Sequence, residues 1–94
     1  MRTKTVFTAA VNNAVADSKK MAKAVLAALG RFGRRDWGEL CDEDKKYNDS
    51  DLKNRNGHVM GKYKTPEGDI YVNLDFYPPE YGYDVVTVMF CHEW

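Results

Sequence analysis

Apolar and basic residues recur with a helical period in the first third of the chain. At 100° per residue, the apolar positions of residues 5–32 fall on one face and the basic positions on the other. This pattern predicts one long amphipathic helix that ends at Gly30 and Gly33, with a break at Asp17-Ser18 as an open alternative. The apolar face comprises Phe7, Val11, Ala14, Val15, Ala22, Val25, Leu26, Leu29 and Phe32, and the basic face comprises Lys19, Lys20, Lys23, Arg31 and Arg34.

A shorter second helix is predicted to begin near Asp42. The carboxylates of Asp42, Glu43 and Asp44 would occupy its cap and first turn. There they meet free amide protons and the positive end of the helix dipole. The run from Asn54 to Gly57 is typical of a helix C-terminus.

From His58 onward the hydrophobic period changes to two. Residues 58–64, 70–76 and 85–94 predict three strands, with a turn containing Gly68 and then a Pro/Gly-rich connection between them. The predicted fold class is therefore α+β, in a single domain over 1–94. A long N-terminal amphipathic helix and a short second helix pack on a three-stranded antiparallel β-meander. Its apolar face would carry Ile70, Val72, Leu74, Phe76, Val86, Val88 and Phe90.

The net charge of zero conceals a strong polarity along the chain. Residues 1–35 hold eight Lys or Arg and one acidic residue, a net charge of +7, whereas residues 36–94 hold six Lys or Arg and 13 acidic residues, a net charge of −7. Such polarity suggests a charged interaction surface. No apolar run approaches the roughly 18 residues of a membrane span, so no membrane partner is predicted. Because Asn12, Asn13 and Asp17 interrupt any signal-peptide core, the default prediction is a cytoplasmic protein.

The sequence predicts neither a metal nor a cofactor nor an enzyme. The acidic residues of 42–51 do not form a calcium loop, because Lys46 and Tyr47 stand where a ligand and the glycine are needed. A zinc site is disfavoured because adjacent strand residues point to opposite faces and no CxxC spacing exists. No nucleophile elbow or phosphate-binding glycine loop is present. The zinc candidates are the two Cys and two His: Cys41, Cys91, His58 and His92.

The stretch Trp37-Gly38-Glu39-Leu40 has two interpretations. A Trp in a glycine-containing connection usually anchors the crossing of two helices, here with Leu40 as its partner, and this interpretation is favoured. A surface Trp ringed by carboxylates would instead be a hot spot for a protein partner. The candidate partner-binding residues are Asp36, Trp37, Glu39, Asp42, Glu43 and Asp44.

The segment DWGELCDEDKKYND, followed by a Leu and a GKYKTPEGDIYV hairpin, resembles a group of small uncharacterised proteins encoded on plasmids, integrative elements and phages of bacteria. Their core reads W-G-[DE]-x-x-x-E-D-x-x-x-N-D-x-x-L and their end T-x-x-x-x-E-[YW]. The resemblance covers about residues 32–94. Matching residues are Trp37, Gly38, Glu39, Glu43, Asp44, Asn48, Asp49 and Leu52 in the core. At the end Glu93 and Trp94 match, and Thr87 stands one position further from Glu93 than in the pattern of the group.

This chain departs from that group in one segment. Between the last two strands the group carries a sequence like I-T-E-A-D-R-S, where this chain has LDFYPPEYGYD. Some members are labelled as restriction-methylase subunits. This chain is too short for such a subunit and lacks an Asn-Pro-Pro-Tyr motif, so the resemblance implies only a neighbourhood with defence systems.

Three functional hypotheses follow from the sequence. The first is a non-catalytic mobile-element accessory that binds and inhibits a host protein, above all a nucleic-acid-processing defence enzyme, as anti-CRISPR or anti-restriction proteins do. The second is a nucleic-acid binder that uses the basic helix face during element transfer or regulation. The third is a homodimer in which the basic half of one copy meets the acidic half of the other.

Overall fold

In the computed structural model, which describes residues 2–94, three helices accompany a four-stranded mixed sheet. The strand order is β1-β4-β3-β2, with β1 parallel to β4 and the other neighbours antiparallel. The α+β class is confirmed, and Met1 of the predicted domain lies outside the described residues. The elements are β1 Arg2–Phe7, α1 Ala9–Asp17, α2 Lys19–Gly33, α3 Asp42–Asn54, β2 His58–Tyr63, β3 Ile70–Asp75 and β4 Tyr83–Phe90.

The predicted start of the long helix is wrong, and the three-stranded antiparallel meander, which β2, β3 and β4 do form, is extended by a fourth strand that runs parallel to β4. Residues 2–7 form β1, which pairs with β4 from Arg2 opposite Tyr83 to Phe7 opposite Val88. β-branched Thr and Val side chains suit a strand better than a helix. The partner strand lies far away in sequence, and the hydrogen bonds that it supplies outweigh a local helical pattern.

The helix is also broken at Ser18, which was the open alternative. Ser18 has an extended backbone (φ −141°, ψ 119°), and its hydroxyl accepts a hydrogen bond from the N–H of Met21 at the start of α2. Thr8 caps α1 in the same way, by accepting from the N–H of Val11. A serine hydroxyl competes with the helix for backbone hydrogen bonds, so the chain stops and restarts there.

The core lies between the helices and one face of the sheet. α1 packs against β4, α2 against β3, and α3 beside β2. The predicted alternation is confirmed for the apolar residues of β3 and β4 on this face, which are buried, whereas Phe76 lies after the end of β3 and is only partly buried against the core. Leu26 is an exception to the predicted apolar helix face, since it is 67% exposed on the side of α2 that carries the lysines. The main buried residues are Val11, Met21, Val25, Ala28, Phe32, Val59, Tyr63, Ile70, Val72, Leu74, Val86, Val88 and Phe90.

The third predicted strand ends earlier than expected, at Phe90. A single-turn 3-10 helix follows at Cys91–Glu93. The Glu93 carboxylate accepts hydrogen bonds from the N–H of Phe90 at 2.8 Å and from the hydroxyl of Thr8 at 3.0 Å. These two bonds tie the end of β4 to the start of α1.

The C-terminus of α3 is joined to the start of β4 by an ion pair. Arg55 ends α3 in the left-handed conformation, and its guanidinium donates two hydrogen bonds of 2.9 Å to the Asp84 carboxylate. Asp84 is 3% exposed and also accepts from the N–H of Tyr77 at 3.0 Å. The hydrogen bonds from Arg55 hold the pKa of Asp84 below its ordinary value of 3.8.

Replacing Asp84 by asparagine is expected to lower the free energy of unfolding by about 2 kcal/mol at pH 7, because it weakens a charge-assisted pair between a buried carboxylate and a partly exposed guanidinium. Since the pKa of Asp84 is lower in the folded chain than in the unfolded one, the stabilisation is fully present above pH 3.8 and is lost as pH falls through the folded pKa. Urea denaturation of both proteins at pH 7 and pH 3 measures the difference. Asp17→Asn, an exposed control, should change it by less than about 0.5 kcal/mol. A difference for Asp84→Asn that is the same at both pH values would contradict the prediction.

Candidate functional site

The connection between α2 and α3 is held by Asp36. Its carboxylate pairs with the Arg31 guanidinium at 2.8 Å and accepts the N–H of Gly38 at 3.1 Å. The hydrogen bonds from Arg31 and then from Gly38 keep the pKa of Asp36 below its ordinary value. The Asp36 carbonyl accepts the Tyr63 hydroxyl at 2.8 Å, and the Arg31 guanidinium lies 5.3 Å from the centre of the Tyr63 ring. The charged groups of Asp36 and Arg31 therefore bind each other.

Trp37 is part of the core rather than of the surface. It is 4% exposed, and its ring packs edge-on against Phe32 with the ring centres 5.3 Å apart. Its indole N–H donates to the Asp49 carboxylate on α3 at 2.9 Å. Trp37 thus joins α2 to α3, and its burial leaves it no area to offer a partner directly. Leu40, the partner expected from the sequence, is partly buried against the same core.

The outer edge of β2 is closed by the same connection. The N–H of Lys62 donates to the carbonyl of Trp37 at 3.1 Å, and the N–H of Glu39 donates to the carbonyl of Lys62 at 2.8 Å. Gly38 lies between them at φ +73°, where a Cβ would overlap the Lys62 carbonyl. The chain can approach the strand this closely only with glycine at this position.

Asn48 closes the next part of that edge. Its side-chain amide donates to the carbonyl of Met60 at 2.7 Å and accepts from the N–H of Met60 at 3.2 Å, as a neighbouring strand would. Asn48 is 7% exposed. Trp37, Gly38, Asn48 and Asp49 are therefore structural residues that fix α3 beside β2. The sequence indicated this role only for Trp37.

We call Trp37, Gly38, Asn48 and Asp49 the frame residues. The remaining acidic candidates lie close to them in sequence. Glu39, Asp42, Glu43 and Asp44 are all exposed, and none of them forms an ion pair within residues 2–94. Three of them lie in the first turn of α3, as predicted. We call Glu39, Asp42, Glu43 and Asp44 the acidic surface.

A shallow groove runs beside the acidic surface, between α3 and β2. It has a volume of about 270 Å³. Tyr47 on its wall is 60% exposed, and the Tyr47 hydroxyl donates to the Glu43 carboxylate at 3.4 Å. An aromatic wall with carboxylates can hold the apolar stem and the charged end of a Lys or Arg side chain. The groove is lined by Leu40, Asp44, Tyr47, Asn48, Asp51, His58 and Met60.

Four of the basic candidates lie on α2, and Arg34 is the residue that follows this helix. Lys19, Lys20, Lys23 and Arg34 are exposed, and within residues 2–94 none of them forms an ion pair. Arg31 differs because it is half-buried and paired with Asp36. The structure thus leaves three exposed cations near the start of α2 and a fourth, Arg34, just after its end.

The cysteines and histidines are not brought together. Cys41 is exposed before α3, whereas Cys91 is half-buried after β4, and burial raises the pKa of the Cys91 thiol. His58 packs edge-on against Trp94, and His92 stacks on Phe90. Within residues 2–94, no group of three or more His, Cys, Asp or Glu residues is arranged to hold a metal ion.

None of the helices formed by the described residues combines the length and the apolarity that a membrane crossing requires. Comparison with protein-family models, curated proteins and solved structures gives no match for this chain. The residues and their geometry are therefore the basis for a functional proposal.

Proposed function

We propose that this chain is a cytoplasmic, non-catalytic accessory protein of a mobile element. It binds a host nucleic-acid-processing defence enzyme and inhibits it. The observation that carries the proposal is the acidic surface, whose four carboxylates are exposed and form no ion pair with any of residues 2–94, beside a groove with an exposed tyrosine.

Charge complementarity supports this choice of partner. An enzyme that binds nucleic acid presents a basic cleft, which attracts any suitably spaced anions and not only phosphates. The acidic surface projects from a frame that Trp37, Gly38 and Asn48 hold in place, so little conformational entropy is lost on binding. Asp36 supports the surface by fixing the connection, since its own carboxylate is paired with Arg31.

The sequence resemblance supports the biological setting. The matching core contains both the frame residues and three exposed acids, Glu39, Glu43 and Asp44. The frame residues have a clear structural task, whereas the exposed acids make no ion pair in the part of the chain that the structure describes. Proteins encoded on plasmids and phages encounter host nucleases. Exposed acidic residues on such a protein can bind the basic cleft of a nuclease.

Reversing the charge of Glu39, Glu43 and Asp44 to lysine is expected to weaken binding to the target by about 100-fold or more, because like charges then face each other across the interface. The target is first captured with the tagged protein from bacterial lysate treated with nuclease. Cleavage of DNA by the purified target is then measured against inhibitor concentration. The matched control reverses three acids elsewhere, Asp17, Glu67 and Glu80, and should keep full inhibition.

Circular dichroism establishes that both triple variants are folded. Full inhibition by the Glu39, Glu43 and Asp44 variant would remove the acidic surface from the proposal. A captured enzyme whose activity is unchanged by the wild-type protein would contradict inhibition itself.

A second candidate function is nucleic-acid binding through α2. The observation that favours it is that Lys19, Lys20 and Lys23 near the start of α2 and Arg34 just after its end are exposed and form no ion pair within residues 2–94. The same capture separates the two functions. Under this second function, the captured proteins disappear after nuclease treatment, and replacing Lys19, Lys20 and Lys23 by glutamate abolishes their recovery.

A further inference from the structure

The edge of the sheet at β2 is covered by other parts of the chain, whereas the edge at β1 is open within residues 2–94. The connection before α3 and the Asn48 side chain occupy the backbone groups of β2 at Lys62 and Met60. At the other edge, β1 pairs with β4 on one side, and no strand formed by residues 2–94 lies on its other side. Open sheet edges readily accept another strand, which is why folded proteins usually cover them.

The unpaired backbone groups of β1 can be assigned. The N–H of Thr8 donates to the carbonyl of Val88, so the even-numbered residues of β1 turn their backbone groups toward β4. Backbone groups alternate along a strand. The N–H and C=O groups of Thr3, Thr5 and Phe7 therefore point outward, away from the sheet.

An apolar groove lies along this edge, on the side of the sheet that the helices cover. Its volume is about 310 Å³. The side chains of Thr3 and Thr5 form one wall, and the C-terminal part of α2 forms the other. The groove is lined by Thr3, Thr5, Leu29, Phe32, Gly33, Leu74 and Val86.

The opposite side of β1 is basic. Arg2 and Lys4 alternate with Thr3 and Thr5, so their side chains lie on the face of the sheet opposite the one that carries the groove and α2. Lys4 has its ammonium 5.8 Å from the centre of the Tyr83 ring, and both basic residues are exposed. A strand placed beside β1 would thus meet apolar surface on one face and two cations on the other.

We propose that β1 binds an extended segment of another polypeptide in which apolar and acidic residues alternate. The segment adds a fifth strand to the sheet. Its backbone bonds to Thr3 and Thr5, its apolar side chains enter the groove, and its carboxylates pair with Arg2 and Lys4. Strand addition obtains its affinity from backbone hydrogen bonds and its specificity from alternate side chains.

Charge argues against a second copy of this chain as the occupant. Two β1 strands side by side would bring two Arg2 and two Lys4 side chains to one shared edge. Like charges on neighbouring strands are destabilising. An acidic segment turns the same cations into attractive contacts.

The test uses a capped eight-residue peptide in which valine and glutamate alternate. Thr5→Pro removes the outward N–H but keeps the bonds to β4, since proline is tolerated on an edge strand where its N–H side faces solvent. We expect this variant to bind the peptide at least about tenfold more weakly than wild type, as measured by calorimetry. Thr5→Val keeps the N–H and should bind as wild type does.

A double variant at Arg2 and Lys4 tests the proposal even if Thr5→Pro does not fold. Replacing Arg2 and Lys4 by glutamate should abolish binding of the valine–glutamate peptide and create binding of a valine–lysine peptide. The charge reversal of Glu39, Glu43 and Asp44 should leave peptide binding unchanged. The proposal for β1 is therefore tested independently of the proposal for the acidic surface. Equal binding by all variants would overturn the proposal, and so would self-association of the wild-type protein that Thr5→Pro abolishes.

Discussion

Replacing Gly38 by alanine is expected to destabilise the fold by about 4 kcal/mol or more, which places it among the most damaging single substitutions available in this chain. Gly38 has φ +73°, and a Cβ at this position would overlap the Lys62 carbonyl and lie 2.8 Å from Cδ1 of Tyr63. Relief requires the connection to move away from β2. That movement breaks its hydrogen bonds to Lys62 and loosens the packing of Trp37. Urea denaturation followed by tryptophan fluorescence measures the loss.

Gly33→Ala is the matched control. Gly33 closes α2, and no heavy atom lies within 4 Å of a Cβ built there. Alanine suits a helix better than glycine by up to about 1 kcal/mol, so this variant should be as stable as wild type or slightly more stable. A Gly38→Ala variant that loses less than about 1 kcal/mol would show that the connection does not depend on its close approach to β2.

Replacing Asn48 by alanine is expected to cost about 3 kcal/mol. The side chain is buried, and its loss leaves both the N–H and the C=O of Met60 without their partners at the sheet edge. Each unsatisfied buried group costs about 1–3 kcal/mol. The better helix propensity of alanine offsets only a few tenths of a kcal/mol of this loss. Thermal and urea unfolding measure the change.

Asn54→Ala provides the comparison on the same helix. Asn54 is the last residue of α3 and is exposed, so its replacement should change stability by less than about 0.5 kcal/mol. Equal effects at the two positions would mean that water replaces the Asn48 side chain at the edge of β2. In hydrogen exchange, the amide of Met60 should lose protection in Asn48→Ala alone.

Features governed by neighbouring residues were predictable. The acidic run at Asp42 does begin α3, and this helix does end in the run before Gly57. The alternation from Ile70 and from Val86 does mark two buried strand faces. Each of these predictions rests on a cap, a dipole or a period, and such signals lie within one element.

Features set by distant partners were not predictable in this way. Phe7 fits both the apolar face of a helix and the inner face of β1, so only the pairing with β4 decides between them. Asn48 carries a weak signal, because it stands four residues before Leu52 on the side of α3 that faces the core, where an apolar residue is expected. Its role becomes visible only when the edge of β2 is placed beside it.

The pairing of the first strand with the last has a consequence for synthesis of the chain. Arg2 lies opposite Tyr83, so the two partners are 81 positions apart in sequence. At about 5–20 residues per second, a ribosome takes roughly 4–16 s to make the stretch between them. During this interval β1 has been made but β4 has not. Helices α1 and α2 can form first, and β1 then has both of its edges unpaired, a situation in which charged side chains such as Arg2 and Lys4 protect a strand against wrong pairing.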